Sequence, residues 1–316
     1  MSIRATVDAA RDVSRAAGLV SASFGLRYGP SAGRPAQSAD RTAMKLAFTK
    51  MNGLGNDFMV VEWPADRAPP NAELIRQWAD RRRGVGFDQL LLVANGDPQG
   101  GDASYRNFNA DGGEVEQCGN GVRCLARFLA PRLGAELTLV SPAGAVAARV
   151  RSPDDVSVNL GIPDFRPSSL PFAADEERDR YRIDVDGEIV ELGAVSMGNP
   201  HAVIATASVA TAPVERLGAA FQRHASFPRR VNVGFMERVD EHRIRLRVYE
   251  RGVGETPACG TGAAAAVAVG RRWKLLDEKV AVDLPGGTLE VNWPGPGAPL
   301  WQTGPTAAVY EGYIEL

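Results

Sequence analysis

Two of the three cysteines in this chain stand in the same local context. Cys118 and Cys259 each precede a Gly-x-Gly triplet, Gly119-Asn120-Gly121 and Gly260-Thr261-Gly262, and each triplet opens a run of helix-forming residues. A residue just ahead of a helix faces free backbone N–H groups and the positive end of the helix dipole. That environment predicts a thiol pKa drawn down from about 8.5 towards neutrality. The same N–H groups can cradle a carboxylate, and glycine admits a close approach. Two thiols on opposite sides of one carbon can exchange its α-proton. One sulfur, as thiolate, removes the proton; the other, as thiol, returns one to the opposite face. Such a reaction inverts a stereocentre with no cofactor and no metal. It requires the sulfurs to be in opposite protonation states and the helix ends to stabilise a carbanion-like transition state. Cys124 reads differently, as a small buried hydrophobe on the helix that follows Cys118.

The elements that must position these cysteines come in two copies. Gly55-Asn56-Asp57-Phe58 matches Gly198-Asn199-Pro200-His201, and Val85-Gly86-Phe87 matches Val233-Gly234-Phe235. Arg106-Asn107-Phe108-Asn109 matches Arg247-Val248-Tyr249-Glu250, and Gly113-Glu114 matches Gly254-Glu255. The cysteine triplets complete the series in the same order, which predicts two similar domains facing each other across a cleft. Apolar runs predict strands over 88–94, 137–140, 202–205 and 244–249, with an edge strand over 45–50. Helices are predicted over 121–129 and 263–273, with weaker ones over 71–82 and 213–224. Strands outnumber helices. The fold class is therefore mixed α+β, with a mixed, largely antiparallel sheet wrapped around a central helix in each domain.

Composition narrows the function classes. Of 316 residues, 44% are hydrophobic and 23% charged, which is globular. A net charge of -2 gives no basic field for nucleic acid, and no apolar run approaches the roughly 20 residues of a membrane span. Three cysteines in so long a chain fit a reducing cytosol rather than a disulfide scaffold. Residues 1–43, rich in Ala, Ser and Arg but containing Asp8, Asp12 and Asp40, read as an unstructured extension rather than a transit peptide. The run 175–182 reads as a solvated loop or helix start, and Arg81-Arg82-Arg83 as a helix C-terminus.

Longer motifs in order carry a family resemblance. They are Met51-Asn52-Gly53-Leu54-Gly55-Asn56-Asp57-Phe58, Phe108-Asn109-Ala110-Asp111-Gly112, Glu116 through Cys124, Met197-Gly198-Asn199-Pro200-His201, and Tyr249-Glu250-Arg251-Gly252 with Ala258 through Gly262. From Met44 onward the chain resembles diaminopimelate epimerases. The resemblance implies a pyridoxal-independent isomerase interconverting LL- and meso-diaminopimelate in lysine and peptidoglycan synthesis. It implies Cys118 and Cys259 as the catalytic pair, and Gly119, Asn120, Gly260 and Thr261 at the reacting carboxylate. It further implies Asn56, Gln89, Asn109, Asn199, Asn232, Glu250 and Arg251 as substrate-binding, with His201 and Glu250 tuning the thiols. These types suit a substrate with two amino-acid ends, which needs amides, an Arg fork for a carboxylate and an acid for an ammonium. The resemblance also implies a discontinuous first domain, 44–162 plus 304–316, around a second at 163–303. A cytoplasmic homodimer with Tyr310 at its contact completes the expectation.

Rival readings are weaker. Gly260-x-Gly262-x-x-Ala265 with Asp277 downstream resembles a dinucleotide fingerprint, but it begins with Cys and has a counterpart at Cys118. A proline-racemase-like enzyme would share the two thiols, yet its substrate has a single amino-acid end. An amino-acid-binding protein with an inert cleft has no need of paired thiols. A zinc site lacks ligand spacing and partner histidines. His224 and His242 read as structural.

Overall fold

The computed structural model describes residues 45–315 apart from 65, 98–99 and 116–117, together with residues 3–4. The expected tail over 1–43 therefore lies outside the described residues, except for Ile3–Arg4, which pair antiparallel with Tyr313 and Ile314.

The strands fall into two series with one pairing pattern. In the first, Lys45–Gly53 runs antiparallel to Asn56–Glu62, which is parallel to Gln89–Asn95. That strand is antiparallel to Ala103–Asn109, which is parallel to Glu136–Ser141. Gly144–Ser152 and Asp155–Asn159 follow as an antiparallel meander. Glu188–Ser196, Pro200–Ala205, Asn232–Arg238, Arg243–Glu250, Lys279–Leu284, Gly287–Asn292 and Trp301–Gly304 repeat the same order of pairings. The last strands of the two series pair with each other and join the halves. Beyond each of these the chain crosses to the other half. Tyr181–Val185 pairs with Glu188–Ser196, and the final strand Ala307–Glu315 returns to Lys45–Gly53. The fold is thus the expected duplicated, sheet-dominated α+β architecture.

Among the described residues four α-helices pack on the sheets: α1 (Ala72–Ala79), α2 (Gly119–Leu133), α3 (Val214–Phe221) and α4 (Gly260–Arg272). Successive residues of a strand point to opposite faces, and here both faces are buried. Phe58, Val60, Leu91 and Val93 pack in one cluster with Val122, Leu125 and Leu129 of α2. Their neighbours Met59, Val61, Leu90 and Leu92 pack with Ile75 and Trp78 of α1. The second half repeats the division, with Val203 and Met236 beside α4 and Ala202, Ile204, Val233 and Phe235 beside α3. Burial on both faces explains why these strands read as continuous apolar runs instead of alternating ones. Helix α4 is buried all round, and its run Ala263 to Ala266 is small enough for sheets to close on every side.

Two local expectations change, and a third resolves to one of its alternatives. Helix α1 begins at the Asn71 cap, whose side chain accepts the Leu74 N–H, and ends at Ala79. Asp80 then accepts the N–H groups of Arg82 and Arg83, so the basic run is a turn beyond the helix. The run 175–182 is a loop entering the strand Tyr181–Val185, with Glu177 and Asp179 paired to Arg272. The repeat match at Val85-Gly86-Phe87 is out of register. Phe58 sits opposite Gln89 and His201 opposite Asn232, so the true equivalents are Gln89-Leu90-Leu91 and Asn232-Val233-Gly234. Similar residue types misled the alignment where strand pairing decides it.

Phe58 is fully buried between the sheet and α2. Phe58→Ala is expected to lower unfolding free energy by about 3–5 kcal/mol, read by denaturant titration; a loss under about 1 kcal/mol would show that the packing around α2 is dispensable.

Candidate active site

Cys118 and Cys259 are the N-cap residues of α2 and α4, the two helices at the centres of the two halves. Both helix N-termini open into one cleft of about 550 Å³, lined by both cysteines. No side chain caps either helix, so first-turn N–H groups remain available to a ligand. The opening glycines of the helices are needed on their inner side as well. A Cβ at Gly260 would come 2.9 Å from Gln302 Oε1, and one at Gly119 would come 3.3 Å from the same atom. Gln302 is therefore wedged between the two helix starts.

Each thiol has a distinct polar neighbour. The Cys118 Sγ donates to Asn56 Oδ1 at 3.5 Å. Asn56 is held in that orientation because its Nδ2 donates to Asp88 Oδ2 at 3.0 Å. Asp88 is itself pinned by Arg81 at 2.7 Å. On the other side, Cys259 Sγ lies 3.7 Å from Thr261 Oγ1. Asn199 Nδ2 donates to that hydroxyl at 3.3 Å, and Asn199 Oδ1 is paired at 2.9 Å with Nε2 of His201. His201 is 1% exposed, and burial, with help from the Arg251 charge, lowers its pKa to about 3. It is neutral at physiological pH, so Nε2–H donates and fixes the Asn199 amide.

The thiols do not follow the expected drop towards neutrality. Burial pushes the Cys118 thiol up to about 11, against the lowering effect of the Gly121 N–H. Burial, then the Glu250 charge, holds Cys259 well above its ordinary value. Desolvation of a thiolate outweighs the helix N-terminus in the ligand-free cleft. Glu250 is raised as well, chiefly by burial, although Thr256 Oγ1 and the Cys259 thiol both donate to it.

Eleven expected site residues line the cleft: the two cysteines, Asn56, Gln89, Asn109, Gly119, Asn120, Asn199, Glu250, Gly260 and Thr261. The Gln89 side chain donates to Asn109 Oδ1 at 3.0 Å. His201, Asn232 and Arg251 lie off the lining. Asn232 is 4% exposed and spends both ends on backbone, donating to Pro200 O and accepting the Arg251 N–H. It anchors the loop that carries Arg251, whose side chain is exposed. Tyr310 packs edge-on against Phe48 at 5.9 Å and is half-buried within the chain. Sequence reasoning missed Asp88, Thr256 and Gln302. The signal for Asp88 was its place beside Gln89 at a strand start; Gln302 carried none. It also gave no role to Arg106 and Arg247, which form the same bidentate pair in each half, to Glu114 and Glu255. Those pairs brace the hairpins that lead to the cysteines.

The model of the diaminopimelate epimerase family matches residues 48–165 and 193–309, one segment in each half. The chain belongs to the diaminopimelate epimerase family. A diaminopimelate epimerase of Pseudomonas fluorescens is 50% identical over 278 residues, covering 86% of this chain and all of its own. Among solved structures, a hydroxyproline epimerase from Agrobacterium vitis with bound trans-4-hydroxy-L-proline has 17% identity and a TM-score of 0.60, covering 86% of this chain and 93% of that one. A PhzF-family protein of Bacillus anthracis has 18% identity and a TM-score of 0.60, covering 86% of this chain and all of its own. At such identities these two share the fold. Among the described residues no helix is long and apolar enough to cross a membrane.

Two predictions follow from the electrostatics. Because the folded chain keeps His201 neutral down to about pH 3 while the unfolded chain takes up a proton near pH 6.5, stability falls as pH drops below 6.5. The loss at pH 5 is about 2 kcal/mol. Urea unfolding at pH 7 and pH 5 should show it, and His201→Gln should reduce it; equal losses in both proteins would remove His201 as the cause. The second concerns the free thiols. Alkylation of Cys118 by iodoacetamide in ligand-free protein should climb with pH through pH 9 as thiolate forms. A plateau reached near pH 7 would mean that the helix N-terminus dominates after all.

Proposed function

We propose that the two thiols exchange the α-proton at one stereocentre of diaminopimelate across this cleft. As a member of its family the chain is an isomerase interconverting the LL and meso forms. The single observation that carries the mechanistic reading is the convergence of two N-cap cysteines on one cleft. The reacting carboxylate sits on the N–H groups of Gly119, Asn120, Gly260 and Thr261, which places the α-carbon between the sulfurs. The proton moves from carbon to one thiolate as the opposite thiol delivers its own, so charge is conserved across the pair.

The high thiol pKa values supply the gating logic. Cys259 donates to Glu250, whose carboxylate is itself raised by burial. Transfer of that proton gives a thiolate and a neutral acid without adding net charge to a buried site. His201 acts at one remove, orienting Asn199 and through it Thr261. Asn56, Gln89, Asn109, Asn199 and Glu250 read the substrate's amines and carboxylates. Arg251, on the loop anchored by Asn232, offers a fork to a carboxylate.

In this reading the chain divides into 44–162 plus 304–316 and 163–303, hinged where the last strands of the two series meet. It works without cofactor or metal, as a cytoplasmic homodimer with Tyr310 near the contact. What supports the division is that Tyr181–Val185 pairs within the second unit, with Glu188–Ser196, while Ala307–Glu315 returns to Lys45–Gly53 of the first.

Proton NMR of LL-diaminopimelate in deuterated water with reductant should show loss of the α-proton signal and appearance of the meso isomer. Cys118→Ala and Cys259→Ala should each lower kcat by at least about 10³-fold with the fold retained. Near-normal turnover in either variant would sink the two-thiol scheme, and exchange with proline but not diaminopimelate would reassign the substrate.

A further inference from the structure

Arg123 has an environment that core packing does not explain. It lies on the second turn of α2 at 0% exposure. Its side chain leans back over the first turn, as helical side chains do. One guanidinium nitrogen donates to Asn120 Oδ1 at 2.7 Å, another to Gln302 Oε1 at 2.6 Å, and Nε has no partner. No carboxylate pairs with it among the described residues. Its partners then reach the other half. Asn120 Nδ2 donates to Ala258 O at 3.2 Å, and Gln302 Nε2 donates to Gly260 O at 2.6 Å. Both acceptors flank Cys259. A buried charge without a counter-ion is costly, and the repeat shows that it is not needed for packing, since the equivalent position on α4 is Ala264, also fully buried. Burial lowers the guanidinium pKa only to about 10, so the charge persists at neutral pH.

We propose that Arg123 is a positioning residue of the proton exchange: its guanidinium ties the two helix N-termini together through Asn120 and Gln302, and supplies the fixed positive charge against which a thiolate and the substrate carboxylate are held. The inference rests on the two-thiol reading. The carboxylates lining the cleft with the thiols are Glu250 from the strand Arg243–Glu250, Asp88 at the entry to Gln89–Asn95 and Asp111 on the turn after Ala103–Asn109; behind them lie neutral His201 and, near Cys118, the Tyr105 hydroxyl and Cys124 thiol, both held neutral by burial. Glu250 and Asp88 oppose a thiolate. Arg123 is a buried cation that favours one at Cys118.

The test uses the full chain, with folding checked by circular dichroism, and three variants: Arg123→Met, Arg123→Lys and Gln302→Leu. Iodoacetamide alkylation of Cys118 and Cys259, followed by mass spectrometry in ligand-free protein, reads the charge. Turnover of diaminopimelate reads the alignment. Arg123→Met should slow alkylation of Cys118 about tenfold at pH 9, an upward shift of about one pKa unit, and lower kcat. Arg123→Lys keeps the charge but loses the fork; its alkylation profile should stay within about twofold of wild type while kcat falls. Gln302→Leu should do the same. Wild-type alkylation in Arg123→Met, or wild-type kcat in Gln302→Leu, overturns the proposal. If the methionine variant does not fold, wild-type kcat in Arg123→Lys or Gln302→Leu overturns it. Alkylation needs no substrate. A failure of the two-thiol reading, seen as turnover by Cys118→Ala, is therefore separate from a failure here.

Discussion

Two helix N-termini meeting at one point is the constraint on which the rest of this structure depends. Each brings unpaired N–H groups and a positive dipole end, and helices rarely bring like ends together without something negative between them. Here α2 and α4 do so at the floor of a cleft, with a buried guanidinium added to the same side of the balance. The arrangement is stable because the sheets around each helix bury enough apolar surface to fix it. In the proposed reaction a carboxylate and a developing carbanion are the charges that such a floor would meet.

The thiols are caught between two opposing effects. Helix ends and N–H donors favour thiolate; burial favours thiol, and in the empty cleft burial prevails for both. The proposed exchange between one thiolate and one thiol benefits from this. Neither sulfur carries a standing charge that would repel a carbon acid or invite oxidation. The proton needed for the first step has a nearby acceptor in Glu250, poised upward by the same burial. In the proposed reaction, substrate charge and local donors, not an intrinsically acidic cysteine, select the sulfur that ionises.

Much of this was legible in the chain because duplication lets a sequence be read against itself. Cysteines at matching places before Gly-x-Gly located both helix ends and the shared cleft. The Asn-bearing hairpins and the Asn109/Glu250 pair were located in the same way. Legibility failed where one copy has no counterpart or where strand pairing outranks residue similarity. Arg123 faces Ala264 in the repeat, and Gln302 lies on a strand with no motif; their importance arises only when α2 and α4 are brought together. Val85-Gly86-Phe87 resembled Val233-Gly234-Phe235 in composition, but ladder register aligns Gln89 with Asn232 instead. The thiol pKa values were misjudged for a related reason. The local context promised a dipole, while the burial that overrides it is a property of the assembled fold.

The differences between equivalent positions explain how a symmetric scaffold handles an asymmetric task. Phe58 in one half is His201 in the other, Asp57 is Pro200, and Asn109 is Glu250. Each change is polar or charged and lies within a short chain of contacts from a sulfur. On the first side, Asp88 holds the Nδ2 of Asn56 and so turns its carbonyl oxygen to the Cys118 thiol. On the second, His201 holds the carbonyl of Asn199 and so turns its amide nitrogen to Thr261, the hydroxyl beside Cys259. The two asparagines are related by the duplication, yet their side-chain amides point opposite ends towards the cysteines. An acceptor facing one sulfur and an amide nitrogen reaching the hydroxyl beside the other make the surroundings of the two thiols unequal. In the proposed exchange, what distinguishes the two sulfurs is these outer contacts, while the cysteines and their glycines remain alike.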